Sequence, residues 1–483
     1  MNTAVRRVAI ACLVLFLALL ANANYLQVFD AKALRANPHN ARALYQELSR
    51  KRGPIIVAGT EVARSVPSSG QIKYLRNYPA GAEYAAATGH YSWVIGASGV
   101  EQQENDVLSG TDNRLFVSRL SDLVTGRKPQ GGAVYLTLNP AAQDAATKGL
   151  HGKRGAVVAL DPSTGKILAL ASSPSYDPDL LTGRNATTIQ QHWKQLTTDP
   201  AQPLLDRAIG QTYPPGSLFK VVTSAAALTN GDTPDTVIPA PDSLPLPQSS
   251  HRLTNFGGES CSSTGKMTLA DALRVSCNTA FGALGMNLGW RKLNATADAF
   301  GLDHSDVHVP MRVATSVFPD DLDGAQTALS AIGQYNVRIT PLQAGMIAAA
   351  VANGGTLMKP YLVDKTVAPN LTVLDQSKPQ VLSHPMSADV AHELTTMMLG
   401  VVEHGTGTAA QIPGIPVAGK TGTAQHGEGQ PPHAWFIAFA PANAPRVAVA
   451  VLVENGGSAG TEATGGRVAA PIARDVIQAV LGR

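Results

Sequence analysis

One stretch of the chain is too apolar to lie in water, and it determines where the rest must fold. Residues 8–21 form an uninterrupted apolar run directly after Arg6 and Arg7. The run has the length of a signal-peptide core, and residues 21–23 read small-x-small, as a cleavage site does. Alternatively, residues 8–29 form an uncleaved anchor, since about 22 residues at ~1.5 Å each span the ~30 Å core of a bilayer. Both interpretations place the arginines in the cytoplasm and the rest of the chain outside it.

The composition of the remaining chain indicates a folded protein with more than one domain. The 483 residues are 44% hydrophobic and 15% charged, which is typical of globular proteins and gives length for two or three domains. The net charge is only +3, and no run of Lys or Arg favours a nucleic-acid partner. Residues 30–50 are polar and alanine-rich, which predicts a helical stalk. We expect a cytoplasmic tip and anchor in residues 1–29, a smaller strand-containing domain in residues 30–150, and a large domain in residues 151–483.

Short apolar runs after residue 130 predict the strands and helices at the end of the smaller domain and in the large domain. Runs rich in β-branched residues predict strands, and turn residues stand between two of them at 161–165. A helix-forming run follows the breaker Pro-Pro-Gly, and apolar residues recur every four positions near the C-terminus. The predicted strands are residues 134–138, 156–160, 167–171, 436–439 and 447–453, and the predicted helices are residues 141–150, 218–228, 268–275 and 468–480. This order indicates a mixed α/β domain rather than a repeated βαβ array.

Three Ser-x-x-Lys matches raise the question of a nucleophilic serine. Such a serine needs a base within hydrogen-bond reach, and side chains at positions i and i+3 share one face of a helix. Ser163 lies in a predicted hairpin turn and Ser263 in a predicted loop, so neither has helical geometry. Only Ser217 opens a predicted helix, with Lys220 one turn later, and a helix N-terminus stabilises a developing oxyanion. Alone, the motif is equally explained by a capping serine and a solvated lysine.

Two further motifs change that balance. Residues 276–278 are the only Ser-x-Asn in the chain, and residues 420–422 are the only Lys-Thr-Gly. The Lys-Thr-Gly motif stands just before the predicted strand that holds Trp435. Each motif alone is explained by a cap, a polar loop or a turn. The order Ser-x-x-Lys, Ser-x-Asn, Lys-Thr-Gly is the signature of penicillin-binding proteins and related β-lactamases.

The sequence around these motifs resembles the class B penicillin-binding proteins over nearly the whole chain. The segments GAVVALDPSTGKILALASSPSYDP, DRAIGQTYPPGSLFK and VVEHGTGTAAQIPGIPVAGKTGTAQ resemble the transpeptidase domain of that class. The segments RGPIIVAG and TGHYS resemble its pedestal, or dimerisation-like, domain. The resemblance implies an antiparallel sheet flanked by helices, as in serine β-lactamases, with a smaller pedestal domain and an N-terminal membrane anchor. It also implies a plasma-membrane protein of cell-wall synthesis, serving division or elongation, with cell-wall or division proteins as partners and no cofactor.

Two positions depart from the family pattern. Most class B members have Asp-Arg-x-Gly where this chain has Ile-Val-Ala-Gly at residues 56–59. Most members have Ile-Gly-Gln-Gly where this chain has Ile-Gly-Gln-Tyr, with Tyr335 as the last of these four residues. Neither departure touches the three catalytic motifs.

The resemblance implies a role for each motif residue. Ser217 is expected to attack the carbonyl between two D-alanines of a peptidoglycan stem peptide. Lys220 takes its proton, which requires a neutral amine and therefore a lowered pKa. Lys420 supplies part of that lowering, Ser276 relays a proton to the leaving nitrogen, and Asn278 orients the substrate amide.

The same resemblance implies how the substrate's charges are bound. Thr421, Gly422 and Thr423 are expected to bind the terminal carboxylate region, with charge from Lys420. The backbone N–H groups of Ser217 and Thr423 form an oxyanion hole, in which one donor contributes about 2.7–4 kcal/mol. An amine from a neighbouring stem then takes the acyl group and makes a cross-link. β-Lactams are expected to trap Ser217 as a long-lived acyl-enzyme.

Other functions stay open or fail on particular residues. A D,D-carboxypeptidase uses the same acyl-enzyme, so the motifs do not separate it from a transpeptidase. Class A β-lactamases need a glutamate with an asparagine four residues on, and neither Glu393 nor Glu403 has one. A membrane-anchored β-lactam sensor or scaffold is a non-enzymatic alternative, but a sensor needs a cytoplasmic effector and only seven residues precede the apolar run. Residues before 150 leave no room for a glycosyltransferase domain.

Metal and nucleotide sites find no support in the motifs. His392 and Glu393 are followed by Leu-Thr-Thr, so the second histidine of a zinc-protease motif is missing. The glycine-containing segment 405–407 has no P-loop lysine. The sequence therefore predicts no bound metal.

The three cysteines leave one candidate pair. Cys12 lies in the apolar run, so outside the cytoplasm only Cys261 and Cys277 can form a disulfide. A predicted helix over residues 268–275 covers ~12 Å, which the loop before it can retrace. Alternatively, Cys277 is simply a small buried apolar residue inside the Ser-x-Asn motif.

Overall fold

A five-stranded antiparallel sheet forms the centre of the second half of the chain. The computed structural model describes residues 3–28, 48–115, 130–305, 307–425, 429–462 and 464–483. Three of the strands are buried along their whole length, which explains why their sequences read as continuous apolar runs. The strands lie in the order Ala418–Ala424, His433–Ala440, Val447–Val453, Gly155–Leu160 and Ile167–Ser173.

Alternate residues of this sheet belong to two separate cores. Val157 and Ala159 pack in one core with the helices Pro140–Gly149 and Ala470–Leu481. Val158, between them, points to the opposite core, as the two-residue period of a strand requires. The helices of this second core include Lys220–Thr229, Asn278–Leu288, Pro341–Ala352 and Ala388–His404. The predicted mixed α/β fold, with an antiparallel sheet flanked by helices, is confirmed.

The N-terminal domain is built on a six-stranded sheet that also takes strands from the second half of the chain. Its order is Val373–Gln376, Val363–Val367, Ala133–Leu136, Ile55–Val57, Thr60–Pro67 and Tyr74–Asn77. The strand predicted at residues 134–138 is present, and Val134 pairs with Thr366. The sequence predicted that residues 30–150 alone form this domain. The periodicity of hydrophobic residues shows that a strand exists, but it does not show which distant strand pairs with it.

A charged cluster lies inside the N-terminal domain. Glu101 is fully buried and accepts hydrogen bonds from Arg52 Nε at 2.6 Å and Arg76 Nε at 2.5 Å. Arg52 also donates to Asn105 Oδ1 at 2.7 Å, and the Tyr78 hydroxyl donates to Glu101 at 3.2 Å. Burial raises the pKa of Glu101, but the two arginines outweigh it, so the pKa lies below its ordinary value.

An isolated apolar helix, Thr3–Val28, contains the predicted anchor. Residues Thr3–Leu26 are long and apolar enough to cross a membrane, and none of this segment is buried by the rest of the protein. Phe29, which ends the predicted anchor, lies outside the described residues, as does most of the predicted stalk of residues 30–50.

The predicted helices of the large domain are present with shifted ends. The segment predicted at 218–228 begins as a 3₁₀ turn, Gly216–Phe219, and continues as the α-helix Lys220–Thr229. The short helix before the Ser-x-Asn motif is Leu269–Val275, and Thr268 caps it by accepting from the Asp271 N–H. The described helices of ten or more residues that have not yet been given are Ala186–Thr198 and Trp290–Ala299.

Candidate active site

The turn that carries Ser217 is pressed against two other segments. A Cβ at Gly216 would lie 2.6 Å from the carbonyl oxygen of Thr423, and Gly216 has φ +54°, so only glycine fits there. Gly216 N–H donates to the carbonyl of Gly333 at 2.9 Å. A Cβ at Gly422 would lie 3.0 Å from the Pro215 carbonyl oxygen. The serine is therefore fixed beside the Lys-Thr-Gly strand by close backbone contacts.

Lys220 begins the α-helix that follows this turn, and its side chain is completely buried. Its Nζ donates to the Ser276 carbonyl at 2.6 Å, to Asn278 Oδ1 at 2.7 Å and to Ser276 Oγ at 3.3 Å. The Phe281 ring lies 5.6 Å from the same Nζ. Among the described residues, these bonds tie Lys220 to the Ser-x-Asn motif and not to the Ser217 hydroxyl, and catalytic contacts are often loose without substrate.

Ser276 lies between two lysines. It ends the helix Leu269–Val275 in a left-handed conformation, with φ 62°. Lys420 Nζ donates to Ser276 Oγ at 2.9 Å, and Lys220 Nζ donates to the same oxygen at 3.3 Å. A neutral amine has two N–H donors and one lone pair, and the Ser276 carbonyl and Asn278 Oδ1 are the two acceptors nearest to Lys220 Nζ. When Lys220 is neutral, the Ser276 hydroxyl can therefore donate its proton to that amine.

Both lysines have lowered pKa values. Burial lowers the pKa of Lys220 well below its ordinary value, and the charge of Lys420 lowers it further. Burial lowers the pKa of Lys420 to about 7. In the described part of the chain no carboxylate pairs with either amine. A neutral amine near physiological pH is the state that a general base requires.

The Lys-Thr-Gly motif lies on the edge strand Ala418–Ala424. Lys420 Nζ also donates to the carbonyl of Thr421 at 3.0 Å, and the hydroxyl of Thr421 lies 2.6 Å from that of Thr406. The Trp435 indole N–H, on the neighbouring strand, donates to the Pro214 carbonyl at 3.0 Å. The motif strand is thereby held against the nucleophile turn, with Thr421 and Thr423 both lining the cleft.

The other two Ser-x-x-Lys pairs lie elsewhere and have ordinary partners. Ser163 donates to Asp161 at 2.7 Å within the hairpin turn. Lys166 pairs with Asp364 at 3.0 Å. Ser263 lies in an exposed turn, and neither pair lines the cleft beside Ser217.

Asn255 is a site residue that the sequence did not indicate. Its Oδ1 accepts from the backbone N–H of Asn278 at 3.0 Å and of Thr279 at 3.1 Å. It therefore caps the helix Asn278–Leu288 from 23 residues away. Local capping rules search only the residue that directly precedes a helix, so nothing in the sequence pattern marks Asn255.

Cys261 and Cys277 are joined in a disulfide, with their Cα atoms 5.9 Å apart. The bond connects the middle residue of the Ser-x-Asn motif to a loop that lines the cleft. Cys277 is also buried, so the two interpretations of its sequence position are compatible. Cys12 is a free cysteine on the apolar helix.

Tyr335, the second departure from the family pattern, has φ +60°. A left-handed conformation is natural for glycine and costs other residues about 1–2 kcal/mol. The backbone geometry thus explains why glycine is commoner at this position. Tyr335 lines the same cleft as Ser217.

The cleft itself has a volume of about 1250 Å³ and is lined by residues of all three motifs. Of the lining residues that the structure describes, Glu259 alone carries a carboxylate. Glu393 and Glu403 lie on the helix Ala388–His404, away from the cleft. Neither is therefore placed to activate a water at Ser217. No group of three His, Cys, Asp or Glu residues that could hold a metal occurs among the described residues.

The sequence matches two protein families. Residues 155–478 match the penicillin binding protein transpeptidase domain, and residues 52–134 match the penicillin binding protein A dimerisation domain. The chain is 48% identical, over 100% of its own length and 99% of the relative's, to the peptidoglycan D,D-transpeptidase PbpA of Mycolicibacterium smegmatis. This full-length similarity confirms the resemblance drawn from the motifs.

Solved structures show the same fold. The ceftriaxone acyl-enzyme complex of penicillin-binding protein A from Mycobacterium tuberculosis covers 90% of this chain and 100% of its own, with 46% identity and a TM-score of 0.89. The penicillin G acyl-enzyme complex of the same protein has 47% identity and a TM-score of 0.86, with the same coverage of both chains. The transpeptidase match spans most of the chain and includes the three motifs that converge at the cleft. The chain therefore belongs to the penicillin-binding protein transpeptidase family.

Proposed function

We infer that this protein is a peptidoglycan D,D-transpeptidase that cross-links stem peptides through an acyl-enzyme at Ser217. The observation that carries the inference is the pair of buried lysines, Lys220 and Lys420, which converge without a counter-ion on the Ser276 hydroxyl. A merely structural site would neutralise such charges, because unpaired buried charge destabilises a fold. Perturbed amines in a cleft beside a serine favour a catalytic role.

Acylation begins with attack by Ser217 Oγ on the carbonyl carbon between two D-alanines. The hydroxyl proton passes to the neutral amine of Lys220, and a new C–O bond forms as the C–N bond breaks. Ser276, whose hydroxyl lies within hydrogen-bond distance of both lysines, donates its proton to the leaving nitrogen and recovers one from the protonated Lys220. The released D-alanine then leaves, and an amine of a neighbouring stem attacks the ester and frees Ser217.

Substrate charge is bound on the strand that faces the serine. Thr421 and Thr423 line the cleft and offer hydroxyl groups to the terminal carboxylate. That carboxylate favours the protonated form of Lys420, whose pKa of about 7 leaves it close to balance. The charge of Lys420 in turn holds Lys220 neutral. The backbone N–H groups of Ser217 and Thr423, on adjacent segments, serve as the oxyanion hole.

The N-terminal helix supports a membrane location for this chemistry. One apolar helix over Thr3–Leu26 fits a single-pass anchor, and Arg6 and Arg7 at its start favour a cytoplasmic N-terminus. The cleft then faces the extracytoplasmic side, where peptidoglycan is built, and other cell-wall or division proteins are the expected partners. The similarity to PbpA relatives supports this arrangement.

The direct test uses full-length protein extracted in detergent with purified pentapeptide muropeptides. We expect cross-linked dimers together with released D-alanine, and covalent labelling by fluorescent penicillin. Ser217→Ala should abolish both, while Ser163→Ala and Ser263→Ala, which alter the other two motif matches, should retain both. Release of D-alanine without dimers would favour a D,D-carboxypeptidase, and labelling of folded Ser217→Ala protein would contradict the assignment of the nucleophile.

A further inference from the structure

Tyr335 combines an unfavourable backbone conformation with a place in the catalytic cleft. Its φ of +60° lies in the left-handed region, which bulky side chains rarely adopt. Such residues persist where the surrounding structure fixes them, and they cluster at functional sites. The question is what the ring does there that glycine would not.

The turn that carries Tyr335 is held on both sides. Before it, the Gly333 carbonyl accepts from Gly216 N–H at 2.9 Å, and Gln334 N–H donates to the Leu329 carbonyl at 2.9 Å. After it, Arg338 and Val317 exchange backbone hydrogen bonds of 2.7 and 3.0 Å. The Tyr335 backbone is therefore fixed relative to the turn that carries the nucleophile.

The Tyr335 ring makes few contacts that would stabilise the fold. Tyr335 is 38% exposed, and its hydroxyl makes no hydrogen bond to another described residue. It lines the cleft with the apolar side chains of Leu329 and Ile332 and with Phe256, which is 61% exposed. Exposed aromatic rings in a cleft offer a large and rigid surface to an apolar ligand group.

We propose that Tyr335 is a specificity-determining residue for acylation, which packs its ring on the apolar part of the acyl donor. The group it contacts is the aliphatic or aromatic chain joined to the reacting D-alanine through the amide that Asn278 orients. This inference rests on the proposed acylation of Ser217. It predicts that donors with a long apolar group in this place react faster than donors that have the same amide but no such group.

The test compares two β-lactams on the full-length protein. Penicillin G carries a phenyl ring beyond the amide, and 6-acetamidopenicillanic acid has the same bicyclic nucleus and amide without the ring. Second-order acylation rates are measured for both, and their ratio reports the ring contact alone. Tyr335→Asn removes the aromatic ring but keeps a residue that tolerates the left-handed conformation. Tyr335→Phe keeps the ring.

We expect Tyr335→Asn to lower the penicillin G to acetamido rate ratio about fivefold, the range of one aromatic contact. Tyr335→Phe should keep the ratio within about twofold of the wild type. The matched control is Val317→Ala, because Val317 is also 38% exposed and pairs with the same turn, but does not line the cleft. Its ratio should equal that of the wild type.

Each other outcome overturns a defined statement. An unchanged ratio in Tyr335→Asn shows that the ring does not contact the donor. An equal loss of rate with both β-lactams shows that Tyr335 acts through the Ser217 turn, and it also overturns the specificity role. If neither compound acylates the wild-type protein, the proposed function itself fails. Thermal unfolding of Tyr335→Asn separates these results from misfolding, because relief of the strained backbone should leave its stability at or above that of the wild type.

Discussion

The core of the N-terminal domain and the catalytic cleft both bury charged side chains, but only the first pairs them. Glu101 is surrounded by two arginines and a tyrosine hydroxyl, and Arg52 finds a further partner in Asn105. The positive charges keep the carboxylate ionised and hold its pKa below the ordinary value in spite of burial. Each charge of this cluster is paired, although Arg76 Nη2 is buried without a hydrogen-bond partner among the described residues.

The cleft does the opposite with Lys220 and Lys420. Both amines are fully buried, both donate to neutral oxygens, and the charge of Lys420 disfavours the ionised form of Lys220. The pKa values of both amines therefore lie below the ordinary value for lysine. A fold that buries two like charges in this way gives up stability for reactive amines. In this protein, therefore, pairing and not burial distinguishes the structural charges from the catalytic ones.

The largest effect is expected from removal of the Lys220 amine. Lys220→Met keeps a long apolar side chain and should lower the acylation rate by about 10³-fold or more, because the general base is lost. Its free energy of unfolding should stay close to that of the wild type, because the hydrogen bonds lost to Ser276 and Asn278 are offset by the cost of burying the amine, which the variant no longer bears. Acylation is measured with fluorescent penicillin and stability by urea unfolding. The control is Lys166→Met, which alters the lysine of another motif match, one paired with Asp364, and should keep the wild-type rate.

The second change removes the charge of the paired cluster. Glu101→Gln should lower the free energy of unfolding by about 3–5 kcal/mol, because two buried arginines lose their counter-ion. The acylation rate per folded molecule should stay that of the wild type. Glu104→Gln, three residues later and without a close ion pair, should change stability by less than about 0.5 kcal/mol. A Glu101→Gln protein as stable as the wild type would show that the arginines need no counter-ion.

A smaller and graded effect is expected from pH. The folded pKa of Lys420 is about 7, against 10.5 for an ordinary lysine, so between these values the unfolded chain binds a proton that the folded chain does not. Stability should therefore rise with pH in this window, by up to about 1.4 kcal/mol per unit from this group. The Glu101 cluster responds in a different, acidic pH range. Its stabilisation is lost as the pH falls through the lowered pKa of Glu101.

Urea unfolding of the wild type and of Lys420→Met between pH 7 and 9 measures the lysine effect. The wild-type curve should be steeper, because the variant lacks the amine that titrates between folded and unfolded states. Parallel curves would mean that the pKa of Lys420 is not lowered by folding. The second-order acylation rate of the wild type should fall over the same range, because Lys420 loses the charge that attracts the terminal carboxylate while Lys220 is already neutral.

The sequence predicted the residues of the site better than the contacts that hold them. Ser217 and Lys220 were found because helical spacing is a local property, and Ser276 and Lys420 because short motifs in a fixed order are specific. The capping of the Ser-x-Asn helix by Asn255 could not be found, since it joins segments 23 residues apart. The strain at Tyr335 was visible only as a departure from the family pattern, and its cause, a φ of +60°, needed coordinates.

For the fold as well, local features were predicted from the sequence and long-range contacts were not. Four of the five strands of the central sheet were predicted, because continuous apolar runs mark buried strands. The fifth, Ala418–Ala424, was not predicted as a strand, because its sequence has no such apolar run. Their order in the sheet and the joining of Val363–Val367 to the N-terminal domain were not, because register depends on partners far along the chain. The hairpin between Gly155–Leu160 and Ile167–Ser173 was predicted, since its turn is local, but its register, which shifts between Ala159 and Leu160, was not.

The six-stranded sheet sets an order in time for making this protein. Val134 finds its partner, Thr366, only about 230 residues later in the chain. At a synthesis rate of about 5–20 residues per second, the strand Ala133–Leu136 waits on the order of 10–50 s with one edge unpaired. Such an edge is a template for pairing with another chain. The first domain to emerge is therefore among the last to be completed, and the nascent chain has a period in which it needs protection from its neighbours.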